Sequence, residues 1–130
     1  NNCQRGLKRI PLGNFLIKMV ATEIAKDNPE IKTFSSLSPV TGFAQWLKTV
    51  LLSPENKLFE KDVEVLKLAL NPNWHENPKI VRQLKKPLMR ACYHYLVNEK
   101  SRGRPVNSVA RFHFGNGAEL YCINWMGNSS

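Results

Sequence analysis

Apolar residues recur at three-and-four spacing in three stretches of the chain, and a helix-stopping or helix-starting pair bounds each one. Leu12, Phe15, Leu16, Met19, Val20 and Ile24 share one face of a helix that Asn28-Pro29 terminates. Phe43, Trp46, Leu47, Val50 and Leu51 repeat the spacing ahead of Ser53-Pro54. The third face, Ile80, Leu84, Leu88, Cys92 and Tyr95, opens at Asn77-Pro78, a cap followed by a first-turn proline, and runs to Asn98. Pro87 lies inside this helix and is expected to kink or divide it, because proline has no N–H to donate and its ring clashes with the preceding turn. A further short helix is expected from Lys61 to Leu70.

Period two appears in shorter runs. Ile31 to Ser35 is β-prone and leads to a turn at Ser38-Pro39, since a residue before proline is biased towards extended backbone. Ala110, Phe112 and Phe114 alternate with Arg111 and His113, which sets His113 on the face opposite the phenylalanines. Gly115-Asn116-Gly117 then reads as a hairpin turn into a strand from Ala118 to Trp125. Helices and strands together predict a mixed α/β (α+β) chain. It opens at Asn1 without Met or a signal pattern and stops at Gly127-Asn128-Ser129-Ser130, just after an expected strand. The expectation is a piece excised from something longer, with its fold incomplete at both ends.

Composition narrows the class. At 130 residues the chain is one domain or part of one, able to hide about two-thirds of its surface on folding. With 42% apolar and 22% charged residues it is not a disordered polyelectrolyte. No apolar run reaches the roughly 20 residues of a membrane-spanning helix. Nineteen Lys and Arg against ten Asp and Glu give +9, which calls for an anionic partner or a solvated basic face. The densest bases are Arg5, Lys8 and Arg9, then Arg82, Lys85, Lys86 and Arg90, then Lys100, Arg102 and Arg104. They contain few interleaved aromatics, so a phosphate-bearing small molecule fits as well as nucleic acid does. Three cysteines without a CxxC pair support neither a disulfide framework nor zinc, and favour a reducing compartment.

Three segments could carry chemistry. Gly6 to Asn14 combines glycines, Lys8, Arg9 and a helix start, where backbone N–H groups and the helix dipole attract an anion. Solvated bases and a glycine that relieves crowding account for it equally well. Ser35, Ser36 and Ser38 stand at the expected carboxyl end of a strand, where α/β folds place ligands, although serines before proline more often make only the turn. His113 sits beside a turn, and a lone histidine there is more often structural. Cys92 and His94, two apart on a helix, point to different faces and make poor joint metal ligands. Trp46, Trp74 and Trp125 read as core or interface. Lys100 to Arg104 could hold a phosphate, but at a helix C-terminus cations are favoured in any case.

Taken in order, the segments resemble the catalytic domain of the malonyl-CoA decarboxylase family. The resemblance rests on FSSLSP at Phe34 to Pro39, Gly42-Phe43, Trp46-Leu47, PLMR at Pro87 to Arg90, Glu99-Lys100 and Arg102-Gly103. It continues through Phe112-His113, Asn116-Gly117-Ala118 and Ile123-Asn124-Trp125-Met126, with LGNFLIK at Leu12 to Lys18 in addition. It covers nearly the whole chain.

The resemblance implies a partial GNAT-like acyl-CoA-binding domain, a mixed sheet flanked by helices. It implies that Lys8, Arg9, Ile10, Pro11, Leu12, Gly13 and Asn14 line the coenzyme A phosphates and that Ser38 and His113 are the catalytic pair, also touching substrate. The implied reaction takes malonyl-CoA to acetyl-CoA and CO2 and so bears on fatty-acid metabolism. His113 would protonate the C2 carbanion, and Ser38 would position the malonyl carboxylate or share in proton transfer. No metal or organic cofactor is expected, since the thioester is itself the electron sink. A homo-oligomeric parent, a tetramer in the family, is implied, in the mitochondrial matrix, peroxisome or cytoplasm, without nucleic-acid or membrane partners. Two alternatives stand beside this reading: acyl-CoA-dependent N-acyl transfer on the same fold, and a basic nucleic-acid-binding module supported by charge alone.

Overall fold

The computed structural model describes residues 12–55 and 58–127, which belong to two compact units, Asn1–Ser38 and Pro39–Ser130. In the first unit, helix α1 (Leu12–Asp27) spans the expected face. Asn28 ends it chemically. Its backbone N–H and its side-chain amide both donate to the Ile24 carbonyl, at 2.8 and 3.2 Å, and Pro29 has no N–H with which to continue. Residues 31–38 run without regular structure, so the strand expected at Ile31 to Ser35 does not form. A strand needs a neighbouring edge for its backbone groups, and among the described residues the one ladder lies elsewhere and is two residues long.

The second unit is helical. Helix α2 (Phe43–Leu52) follows Gly42, whose φ of 77° lies in the left-handed region. It buries Leu47 and Leu51, four apart on one face. Helix α3 (Val63–Lys67) tightens into a 3-10 turn at Leu68–Leu70 and contributes Leu66 to the core. A second 3-10 turn, Trp74–Glu76, precedes helix α4 (Pro78–Tyr93). The predicted cap is formed: Asn77 Oδ1 accepts from the N–H groups of Lys79 and Ile80 at 3.0 and 3.4 Å.

Pro87 does not divide α4, which runs unbroken from Pro78 to Tyr93. An interior proline costs about 3 kcal/mol. Against this, α4 buries Leu84, Leu88, Ala91 and Cys92 besides Pro87 itself, at roughly 1.5–3 kcal/mol for each large apolar side chain. Burial wins. Beyond Tyr93 the helix widens into a π-turn, His94–Asn98, in which the Glu99 N–H donates to the His94 carbonyl at 2.9 Å.

Strands β1 (Lys100–Ser101) and β2 (Arg104–Pro105) form an antiparallel ribbon with Ser101 opposite Arg104. Its turn residues, Arg102 and Gly103, have φ of 52° and 75°, the left-handed pair that a two-residue hairpin requires. The basic run therefore occupies a hairpin and not a helix end. Helix α5 (Ser108–Gly115) follows. The architecture is α+β and helix-rich, and among the described residues this ribbon takes the place of the expected mixed sheet.

Two clusters make the core. Leu47, Leu51, Leu66, Leu84, Leu88 and Ala91 form one; Cys92, Tyr95, Leu96 and Ala110 form the other, and Phe43 and Trp46 pack against both. The stretch from Ala118 to Trp125 is irregular and not the expected strand. It is held by side chains: Leu120 and Ile123 rest on the second cluster and Trp125 on the first, its ring 5.9 Å from Trp74.

Leu84 is fully buried, so Leu84→Ala is expected to lower stability by about 2–5 kcal/mol. Breaking the exposed Lys67–Glu64 pair with Lys67→Ala should cost under about 1 kcal/mol. Urea denaturation measures both, and equal small losses would contradict the core assignment.

Candidate active site

The backbone carbonyl of Thr41 accepts two hydrogen bonds from residues far along the chain. The Tyr95 hydroxyl donates at 3.0 Å and the Asn107 Nδ2 amide at 2.8 Å. Both donors are buried, Asn107 with 2% of its surface exposed. Asn107 has a second role: its Oδ1 accepts from the Ala110 N–H at 2.8 Å and so caps α5. One side chain thus fastens the start of α5 to the turn before α2, and Tyr95 from the π-turn fastens the same carbonyl. Gly42 is needed beside it. A Cβ there would stand 2.8 Å from the Tyr95 hydroxyl, on a backbone whose φ already disfavours side chains.

His113 lies on α5 and not on a strand. The five-residue alternation around it fits either element, and the cap decides. With Asn107 as N-cap, Ala110 and Phe114 fall four apart on the inner face, Ala110 buried and Phe114 packed on the second core cluster. Phe112 turns to the exposed side, with its ring 5.2 Å from the half-buried imidazole of His113. His113 therefore does not stand opposite two paired phenylalanines. The Gly115-Asn116-Gly117 segment closes the helix. Gly117, at φ 81°, donates to Phe114 at 3.1 Å and Ala118 donates to His113 at 3.0 Å, the paired bonds of a glycine C-cap.

Ser38 closes the irregular stretch of the first unit and is bonded to Pro39, three residues before Thr41. Ser35 and Ser36 lie in the same irregular stretch. Leu12, Gly13 and Asn14 form the first turn of α1. Lys8, Arg9, Ile10 and Pro11 lie outside the described residues.

Residues 1–130 match the family described as Malonyl-CoA decarboxylase C-terminal domain. The chain belongs to that family. Among curated relatives it is 45% identical to a protein of Anser anser anser, 41% to one of Rattus norvegicus and 40% to one of Mus musculus, each over 98% of this chain. All three are named "Malonyl-CoA decarboxylase, mitochondrial". The chain spans 29–30% of the length of these relatives.

Within this domain His94 and Cys92 have structural surroundings. His94 stacks on Trp46 with ring centroids 6.0 Å apart, meets the edge of Phe59, and holds its Nε2 3.7 Å from a Glu99 carboxylate oxygen. Among the described residues no three His, Cys, Asp or Glu side chains cluster as metal ligands. Cys92 is buried, and desolvation raises its thiol pKa to about 11. Cys122 is exposed. Sequence reading missed Thr41, Tyr95 and Asn107. The available signals were an Asn-Ser pair suited to start a helix and a glycine directly before α2.

Asn107→Ala removes the cap and one bond to Thr41, and is expected to cost about 1–3 kcal/mol. Asn107→Asp keeps a good cap but sets a carboxylate against the Thr41 carbonyl, so it should cost at least as much. A stability equal to wild type for Asn107→Asp would show that the bond to Thr41 contributes nothing. Alkylation at neutral pH followed by peptide mass mapping should label Cys122 and spare Cys92. Because the folded thiol ionises near pH 11 against an ordinary value of 9.0, its contribution to stability is complete below pH 9 and falls as pH rises to 11.

Proposed function

We propose that the intact protein carrying this domain decarboxylates malonyl-CoA to acetyl-CoA and CO2. The observation that carries the reading is the family match over residues 1–130, joined by three relatives named for this activity. Heterolysis of the bond between the malonyl carboxylate and C2 releases CO2 and leaves its electron pair on C2, delocalised into the thioester carbonyl as an enolate. Hydrogen-bond donors at that oxygen stabilise the charge, each worth roughly 3–4 kcal/mol where such donors have been removed in other enzymes. A proton delivered to C2 completes acetyl-CoA. The thioester supplies the electron sink, so the reaction is proposed to need no metal or organic cofactor.

In this reading His113 donates the proton and Ser38 orients the malonyl carboxylate, while Lys8 to Asn14 receive the coenzyme A phosphates at the start of α1. One feature supports the role of His113: imidazole carries a transferable proton near neutral pH. Leu12, Gly13 and Asn14, as the first helical residues, carry N–H groups without intrahelical partners, suited to phosphate oxygens. We further propose that the intact catalytic domain is GNAT-like, that the protein assembles as a homo-oligomer, and that it works in the mitochondrion, the compartment in its relatives' names. Beyond the +9 charge, no observation favours nucleic-acid binding, and none favours N-acyl transfer.

With the intact protein and malonyl-CoA, His113→Ala is expected to lower kcat by roughly 10²–10⁴-fold. Ser38→Ala should lower kcat/KM by at least about tenfold, with acetyl-CoA and CO2 measured together. Undiminished turnover in both variants would overturn the residue roles, and absence of acetyl-CoA from the wild type would overturn the reaction.

A further inference from the structure

The β1–β2 hairpin and helix α5 bring Arg102, Arg104 and Arg111, with Ser101, around one open hollow of about 610 Å³. Among the described residues none of these three guanidinium groups is ion-paired with a carboxylate. The acid nearest in sequence, Glu99, turns its carboxylate to His94 instead. Like charges gathered without counter-charge repel one another, and an arriving anion relieves that repulsion.

Two further features show that the cluster is arranged. Arg111 donates through Nε to the Pro105 carbonyl at 3.0 Å and through Nη2 to the Val106 carbonyl at 3.3 Å. Its fork is therefore held in place while other N–H donors remain for a ligand. Arg102 occupies a left-handed turn position, φ 52°, strained for a residue other than glycine or asparagine. That strain, carried by a long cation at the tip of a hairpin, is the kind of departure found at ligand sites.

We propose that Ser101, Arg102, Arg104 and Arg111 form a binding site for a phosphomonoester dianion. Guanidinium forks match phosphate oxygens in pairs, and the Ser101 hydroxyl supplies a neutral donor beside them. The hollow is larger than a bare phosphate and admits the group that carries it. Two sources share this chemistry: the ribose phosphomonoester of coenzyme A, an assignment that rests on the decarboxylase reading and leaves only the pyrophosphate to Lys8 to Asn14, and a separate phosphorylated metabolite.

The test titrates the intact protein and its Arg102→Gln/Arg104→Gln variant with coenzyme A, dephospho-coenzyme A and inorganic phosphate, following heat for the first two and phosphorus NMR for the third. Both substitutions are at exposed positions, and an unchanged melting curve confirms that the fold is retained. If the site takes the coenzyme A phosphate, wild type prefers coenzyme A to dephospho-coenzyme A by about tenfold or more, and the variant loses that preference. If it takes a separate phosphate, inorganic phosphate binds to wild type and is weakened about tenfold in the variant, while the coenzyme preference is unchanged. The proposal is overturned if both proteins bind every probe equally. Failure of wild type to bind either coenzyme, with phosphate binding still dependent on the arginines, instead removes the decarboxylase reading and leaves this site standing.

Discussion

Three distant segments of the second unit meet at a single backbone oxygen. Thr41 C=O collects the Tyr95 hydroxyl and the Asn107 amide from positions 54 and 66 residues further along the chain. Two hydrogen bonds to one part-buried carbonyl, each worth about 0.5–1.5 kcal/mol net, tie together the three segments that meet there. Gly42 makes the approach sterically open, the π-turn brings Tyr95 within reach, and Asn107, donating to Thr41 through Nδ2, accepts through Oδ1 at the start of α5. What the junction supplies is geometric: it sets where α5, and with it His113, begins.

The core explains why this polar junction is affordable. Leu66, Leu84 and Ala91 are fully removed from solvent, and Phe43 and Trp46 bridge the two clusters. Tyr95 belongs to the second cluster through its ring, 5.0 Å from Trp46, while its hydroxyl reaches Thr41. Apolar packing thus holds the aromatic body, and the hydrogen bond aims its tip. The same π-turn places His94 against Trp46 and Glu99.

Long elements were readable from sequence, and short ones were not. Helices α1, α2 and α4 announce themselves because ten or more residues keep the 3.6 period and end at Asn28-Pro29, Ser53-Pro54 or begin at Asn77-Pro78. Residues 110–114 offer only five positions, in which Phe-His-Phe imitates a strand, and Gly-Asn-Gly serves a helix end as well as a hairpin. The cap at Asn107 carried the deciding information. Residues 118–125 alternate in hydropathy, yet their apolar side chains find a core without a strand partner. Lys100 to Arg104 reads in sequence as a basic helix end, since the pairing of Ser101 with Arg104 shows only in the backbone. The roles proposed for Ser38 and His113 rest on resemblance to a family, because neither spacing nor composition distinguishes them from a turn serine and a surface histidine. Thr41, Tyr95 and Asn107 escaped because hydrogen bonds across such separations leave no local pattern.

The central claim is that one acyl group meets both a hydroxyl from the FSSLSP segment and an imidazole from α5. A crystal structure of the intact protein with a non-hydrolysable malonyl-CoA analogue tests it most directly. The account predicts Ser38 Oγ and a His113 ring nitrogen each within about 2.6–3.2 Å of the malonyl group or of one intervening water. An analogue bound with either side chain on a separate surface would contradict it.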